Sequence, residues 1–328
     1  MTSVVQIPGL GPMSKRSGIH MLNVCSDGVH RVGVNGVVSI VATGDHKVEF
    51  VAFESHTLAY VRSAMGFPAY YPVHPVHLKK PVRAVLMDLD GTTVRSEPFW
   101  VWIIQSCVAS LLDDPTFELS EDDSPFVAGH SVSEHLQYAI NKYCPDKSLA
   151  DARHYYFEHT RRELQAIVEG HGRRDAFLPA PGVQEFLQEL KKRNIKIGLV
   201  TSGLYEKAWP AIVSAFRTMG LGDPSAFYDT IITAGFPLGA GAPGTLGELS
   251  PKPHPWLYAE AFRVGLGIEF ENRNSVLAIE DSGAGVCSAR IAGFPTIGIT
   301  GGNIIESGTE DLCTYSAKTF DEILSIMI

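Results

Sequence analysis

From residue 82 onward the chain switches repeatedly between two hydrophobic periods, and that alternation constrains the fold more than any other feature. The segments "VRAVLMDLD", "IKIGLVTSG", "DTIITAG", "SVLAIEDS" and "PTIGIT" are short apolar runs suited to strands buried on both faces. Between them, "GVQEFLQELKKR", "LYEKAWPAIVSAFRTM", "PHPWLYAEAFRVGL" and "GAGVCSARIAG" repeat their apolar residues at helical spacing. Strands and helices in this order predict an α/β core, doubly wound around a parallel sheet in the Rossmann-like manner.

One stretch breaks the alternation. Residues 97–175 contain "FWVWIIQSCVASLL", "SVSEHLQYAINKY" and "LADARHYYFEHTRRELQAIVEG", all with helical periodicity and without a strand pattern. They predict an all-helical cap inserted after the first core strand, leaving residues 81–96 and 176–328 as the core. Residues 1–80 read as a β-rich N-terminal extension with a linker. "GIHMLNV", "HRVGV", "VVSIVAT" and "KVEFVAF" are expected strands separated by turn signals at Asp27-Gly28, Asn35-Gly36 and Gly44-Asp45. A short helix is expected at "SHTLAYVRSAM", then a proline-rich linker at "YYPVHPVHLKKP".

At 328 residues the chain exceeds what one hydrophobic core usually supports. Its net charge of -9 comes without a block of like charge, which argues against a nucleic-acid or membrane surface. No apolar run is long enough to cross a bilayer, and "MTSVVQIPGLGPMSKRSG" has no apolar signal core, so a cytoplasmic location is expected. The five scattered cysteines have no metal-ligand spacing and no disulfide pattern. His74 and His77 read as solvated linker residues, since no third ligand is recognisable nearby. Oligomeric state is not legible.

Four motifs sit where the apolar runs end, the edge at which open α/β sheets bind ligands. They are Asp88-Leu89-Asp90-Gly91-Thr92, then Thr201-Ser202-Gly203, then Lys252 in "SPKPHPWLY", then Glu280-Asp281-Ser282-Gly283. Carboxylates gathered so closely raise one another's pKa unless a cation joins them. Oxygen ligands alone suit Mg²⁺ better than Zn²⁺. Mg²⁺ commonly bridges to a substrate phosphate, so phosphoryl chemistry on a small phosphorylated metabolite is expected. Thr201 and backbone amides at a helix start could hold phosphate oxygens. Thr201 could equally cap the helix that follows it.

In order and position, these motifs resemble those of the haloacid dehalogenase superfamily: DxDGT, a Ser/Thr after the second strand, Lys-Pro-x-Pro, and Glu-Asp-Ser-x-x-Gly. The resemblance runs from residue 82 to about 305. The helical insertion is similar to the C1 cap of the branch containing β-phosphoglucomutase and many sugar-phosphate phosphatases. It implies Asp88 as the nucleophile that forms an aspartyl-phosphate and Asp90 as general acid/base. It also implies Mg²⁺ on Asp88, the Asp90 carbonyl and Asp281, with Glu280 as a further ligand or a neighbour behind the metal. Thr201, Ser202, Gly203 and Lys252 would grip the phosphate. Gly129 and His130, in "VAGHSVSEHL", resemble the segment of the cap that faces the leaving group.

Two departures stand out. The connection from Ala234 to Ser250 is long and rich in Gly and Pro, and residues 1–80 have no counterpart in the resemblance. Since all four motifs lie downstream, removing residues 1–78 is expected to leave the chemistry possible. The expected function is a Mg²⁺-dependent phosphatase. The alternatives are a phosphomutase of the β-phosphoglucomutase type and a non-catalytic regulator, although a regulator predicts a broken motif and all four are intact. In the resembling mutases, a histidine on the first cap helix and a lysine-plus-arginine pair near the specificity segment help exclude water. Here residues 91–129 contain no histidine and no lysine. Trp100 stands about where the histidine would fall and Val132 about where the arginine would, while His130 lies close enough in sequence to be a substitute.

Overall fold

A computed structural model describes residues 4–14, 18–62, 67–123, 132–235 and 249–328. It forms two compact units, one of residues 1–93, 180–208 and 223–328, the other of residues 94–179 and 209–222. The first unit opens with a hairpin, β1 (Val4–Ile7) and β2 (Gly11–Ser14). An antiparallel sheet follows in simple up-and-down order: β3 (His20–Leu22), β4 (Val37–Ala42), β5 (Val48–Phe53), β6 (Thr57–Val61) and β7 (Ala69–Pro72). Then β8 (Ala84–Asp88) starts the parallel core.

The antiparallel sheet is buried on both faces. With period two, Val48, Phe50 and Ala52 of β5 and Ala59 and Val61 of β6 point one way. There they share one apolar cluster with Val286, Cys287, Ile291, Ile304 and Leu312 from late in the chain. Val51 and Tyr60 point the other way, against Cys25, Val37 and Ile40. The expected helix at "SHTLAYVRSAM" is therefore corrected, since its residues Thr57–Val61 are strand β6, paired with β5. Ala59 and Val61 enter one apolar cluster and Tyr60 the other, a period of two that outweighs any helical reading. Likewise, Tyr70–Pro72 of the supposed linker belong to β7, whereas "HRVGV" makes only a single bridge, Val24 to Arg31.

In the second unit, β9 (Val94–Arg95) pairs with β10 (Leu178–Pro179), and between them run α1 (Glu97–Leu112), α2 (Val132–Tyr143) and α3 (Leu149–Glu169). Ser148 caps α3 with a reciprocal Ser148–Asp151 capping box. Trp100 and Phe177 both contact Phe99, which is fully buried, so this end of α1 is a packing site.

The core resumes with α4 (Val183–Lys192), β11 (Lys196–Leu204), α5 (Tyr205–Met219), α6 (Pro224–Phe227) and β12 (Thr230–Gly235). After it come α7 (Trp256–Glu260), β13 (Val276–Glu280), α8 (Gly283–Ala292), β14 (Thr296–Ile299), β15 (Tyr315–Ala317) and α9 (Phe320–Met327). The six core strands are all parallel, in the order β12-β11-β8-β13-β14-β15. Chain direction across the sheet therefore reverses at β8, and the crevice at its carboxyl end is the switch point where such sheets bind ligands. Ala84, Leu86, Val200, Ile232 and Ala278 pack from the sheet against Leu257, Tyr258 and Phe262. Among the described residues, no helix is long and apolar enough to cross a membrane. All five cysteines are free.

Candidate active site

Strand register brings three of the four motifs to one level. Val200 of β11 lies opposite Asp88, so Thr201 stands one residue beyond it. On the other side Ile279 lies opposite Met87, which puts Glu280 level with Asp88. Lys252 arrives from the connection before α7, and its buried ammonium joins the strands. Its Nζ donates to Asp88 Oδ1 at 2.5 Å, to Glu280 Oε1 at 2.5 Å and to the Val200 carbonyl at 3.2 Å.

The turn after β8 is folded tightly around these groups. Thr93 Oγ1 donates to the Asp88 carbonyl at 2.5 Å, and Thr92 Oγ1 donates to Asp281 Oδ1 at 3.2 Å. Gly91 adopts φ +87°, and a Cβ there would lie 2.0 Å from Asp281 Oδ2. A Cβ on Gly302 would come within 2.5 Å of the same oxygen. Thr201 Oγ1 accepts from the Gly203 amide at 2.9 Å and reaches Asp90 Oδ2 at 3.5 Å, the outer limit of a hydrogen bond. Ser202 holds the lysine's backbone, accepting from Lys252 N at 3.1 Å.

Asp88, Glu280 and Asp281 can offer oxygens that all lie within 4.8 Å of one another, the only such cluster of possible metal ligands among the described residues. All three are buried. Three carboxylates against one lysine leave this volume two negative charges in excess when all are ionised. Burial, the largest cause, pushes the Asp88 carboxyl well above its ordinary range; Lys252 opposes this, and Glu280, Asp281 and Asp90 add to the rise. Burial together with Glu280 pushes Asp281 up to about 7. For Lys252, burial alone would lower the ammonium, but Asp88 and Glu280 outweigh it and hold it above its ordinary value. Asp88 Oδ2 is buried without a hydrogen-bond partner. A buried, unpartnered carboxylate oxygen beside two more carboxylates is a donor set that suits a hard cation.

Asp90 is exposed, so the two aspartates of the first motif occupy opposite environments. Sequence reading missed several groups around them. Tyr258 is fully buried and donates to Glu280 Oε1 at 2.5 Å, while Ser282 Oγ donates to Glu280 Oε2 at 3.2 Å. Glu280 is thus occupied on both oxygens. Lys207, early in α5, is half-buried in the field of Asp90; burial pushes its ammonium down and Asp90 opposes this. A basic residue one turn after Thr201-Ser202-Gly203 is a signal that could have found it. Gly129 and His130 lie outside the described residues, as do residues 236–248 of the long connection.

A family model described as haloacid dehalogenase-like hydrolase matches residues 82–293. The chain belongs to the haloacid dehalogenase-like hydrolase family. A relative within the family's reach is the glyceraldehyde 3-phosphate phosphatase of Methanocaldococcus jannaschii, 24% identical over 261 residues that cover 75% of this chain and 97% of the relative. Among solved structures, a predicted phosphoglycolate phosphatase from Haemophilus somnus superposes with TM-score 0.55 at 19% identity, covering 76% of this chain and 99% of its own. A subfamily IA hydrolase of the same superfamily from Geobacter sulfurreducens gives TM-score 0.54 at 17% identity, over 77% and 100%. At these identities the structural matches speak for the fold. This haloacid dehalogenase-like hydrolase carries about 80 residues ahead of the matched segment.

The raised carboxyls set an expectation for stability. Between an unfolded-state value near 3.8 and a folded value of about 7, the native protein holds the Asp281 proton more tightly than the unfolded chain does. Stability of the metal-free hydrolase should therefore fall as pH rises through that window, by a few kcal/mol at most. Thermal midpoints in EDTA at pH 5 and pH 8 check this, and a higher midpoint at pH 8 than at pH 5 contradicts it.

Proposed function

We propose that this hydrolase is a Mg²⁺-dependent phosphatase that cleaves a small phosphorylated metabolite through an aspartyl-phosphate. The observation that carries the reading is the buried trio Asp88, Glu280 and Asp281 around Lys252, with its excess negative charge and the unpartnered Asp88 Oδ2. The Asp88 carboxylate attacks phosphorus, and the bond to the leaving oxygen breaks as Asp90 gives that oxygen a proton. Asp90 then takes a proton from a water molecule, whose oxygen attacks the phosphoryl group, releasing phosphate and restoring the Asp88 carboxylate.

Exposure fits Asp90 for this exchange with leaving group and water, whereas burial fits Asp88 for a fixed geometry. Thr201, Ser202 and Gly203, with Lys252, hold phosphate oxygens at the strand ends. Mg²⁺ would be held by Asp88, Asp281 and the Asp90 carbonyl, and would offset the phosphate's charge as it develops. Because Lys252, Tyr258 and Ser282 already engage Glu280, its part is to fix Lys252 from behind. Gly129 and His130 are assigned to the leaving-group side.

Hydrolysis is favoured over phosphate migration because residues 91–129 carry no histidine and no lysine to hold water off Asp90. A panel of phosphorylated metabolites, including glyceraldehyde 3-phosphate, incubated with Mg²⁺ or with EDTA should show phosphate release that depends on the metal. With β-glucose 1-phosphate and a bisphosphate primer, free phosphate should exceed glucose 6-phosphate. Efficient isomerisation with little free phosphate would overturn the phosphatase assignment, and full activity in EDTA would remove the cation from the reading.

A further inference from the structure

Lys252 sits on a connection that the N-terminal sheet holds from outside the family segment. Two residues after it, His254 is almost completely buried, at 1% exposure. Its Nδ1 lies 2.8 Å from the hydroxyl of Tyr71 on β7, and the two rings meet edge-on at 5.8 Å. The Tyr71 ring also meets Trp256, the first residue of α7, edge-on at 5.8 Å, and the Trp256 side chain hydrogen-bonds the Tyr71 hydroxyl. The His254 carbonyl accepts from Ser288 Oγ of α8 at 2.6 Å, which ties the same residue to the helix that follows Glu280-Asp281. His254 Nε2 is buried without a partner, leaving the Tyr71 hydroxyl as the one hydrogen bond that fixes the ring among the described residues. Tyr71 is itself anchored, with β7 paired to β6 at Ala59, whose side chain lies in the cluster shared with α8.

We infer that Tyr71 is a positioning residue for Lys252, acting through His254 to fix the connection that delivers the lysine to Asp88 and Glu280. The inference rests on the phosphatase reading above. The chemistry is demanding at this point because the ammonium must meet two carboxylates at once, and an ångström of displacement at a catalytic group can cost a hundredfold in rate. Tyr71 lies outside the matched family segment, residues 82–293, so the N-terminal extension contributes to the site without reaching the substrate.

The test uses the full chain with Mg²⁺ and p-nitrophenyl phosphate. Tyr71→Phe keeps the ring and its packing and removes only the hydroxyl. It is expected to lower kcat roughly tenfold with KM within about twofold and the thermal midpoint within a few degrees. Ser288→Ala, which cuts the second tether of His254, should act in the same direction and serves should Tyr71→Phe prove unstable. In a Lys252→Ala background, Tyr71→Phe should cost nothing further, because its effect passes through the missing lysine. A wild-type kcat in Tyr71→Phe, or an equal loss in both backgrounds, overturns the inference. Wild-type phosphate release by Lys252→Ala overturns the inference by removing the lysine from the chemistry, whereas absence of Mg²⁺-dependent phosphate release by the wild-type chain overturns the phosphatase reading beneath it.

Discussion

Asp88→Asn is expected to lose phosphate release by roughly a thousandfold or more while the protein stays folded. The side chains are nearly isosteric, so the groups packed around the β8 terminus need not move. What is lost is the anionic oxygen that would bond to phosphorus, which an amide does not replace. Stability should hold or rise near pH 8, because burial already disfavours the charged form of Asp88 and the substitution removes one of three crowded carboxylates. Lys252 keeps Glu280 and the Val200 carbonyl as partners. Phosphate release and a thermal midpoint on the same preparation decide the matter, and near-normal turnover would sink the covalent mechanism.

Removing residues 1–78 is expected to destroy the fold rather than merely strip an accessory. The motif positions alone suggest that such a chain keeps its chemistry, but the packing argues otherwise. Val286, Ile291, Ile304 and Leu312 belong to one apolar cluster with Phe50, Ala52, Ala59 and Val61. Exposing four such aliphatic side chains costs about 1.5–3 kcal/mol each, or roughly 6–12 kcal/mol in sum, against a typical total stability of about 5–15 kcal/mol. Buried Arg290 would also lose the Gly9 carbonyl, and Ser307 the Gly44 amide. The truncated chain should be insoluble or melt without a cooperative transition. A soluble product melting within a few degrees of the full chain contradicts this.

The parallel core was legible because both-face burial leaves uninterrupted apolar runs, and the site because its polar residues interrupt those runs at their ends. Asp88, Thr201, Glu280 and Asp281 stand together for the same reason, since parallel register aligns the carboxyl ends of neighbouring strands. The N-terminal sheet was harder to read. "VEFVAF" is buried on both faces within an antiparallel sheet, so the polar-out alternation that marks such strands is missing. Segment Thr57–Val61 offered too few residues to separate a strand from a helix. Contacts such as Tyr258 with Glu280, or Tyr71 with His254 across 183 positions, have no local signature at all. They follow from how elements pack, which hydrophobic period does not encode.

The shared cluster also imposes an order in time. Phe50 and Val61 leave the ribosome early, but Val286, Ile291 and Leu312, which cover their face, are made about 230 residues later. At about 5–20 residues per second, the inner face of the antiparallel sheet waits some 10–50 s for its other half. During that wait a complete set of strands presents an apolar surface that only early residues such as Ile7, Met13 and Val73 can begin to cover. Synthesis of this hydrolase is thus a period of prolonged exposure to neighbours and chaperones, ended only when the last quarter of the chain arrives.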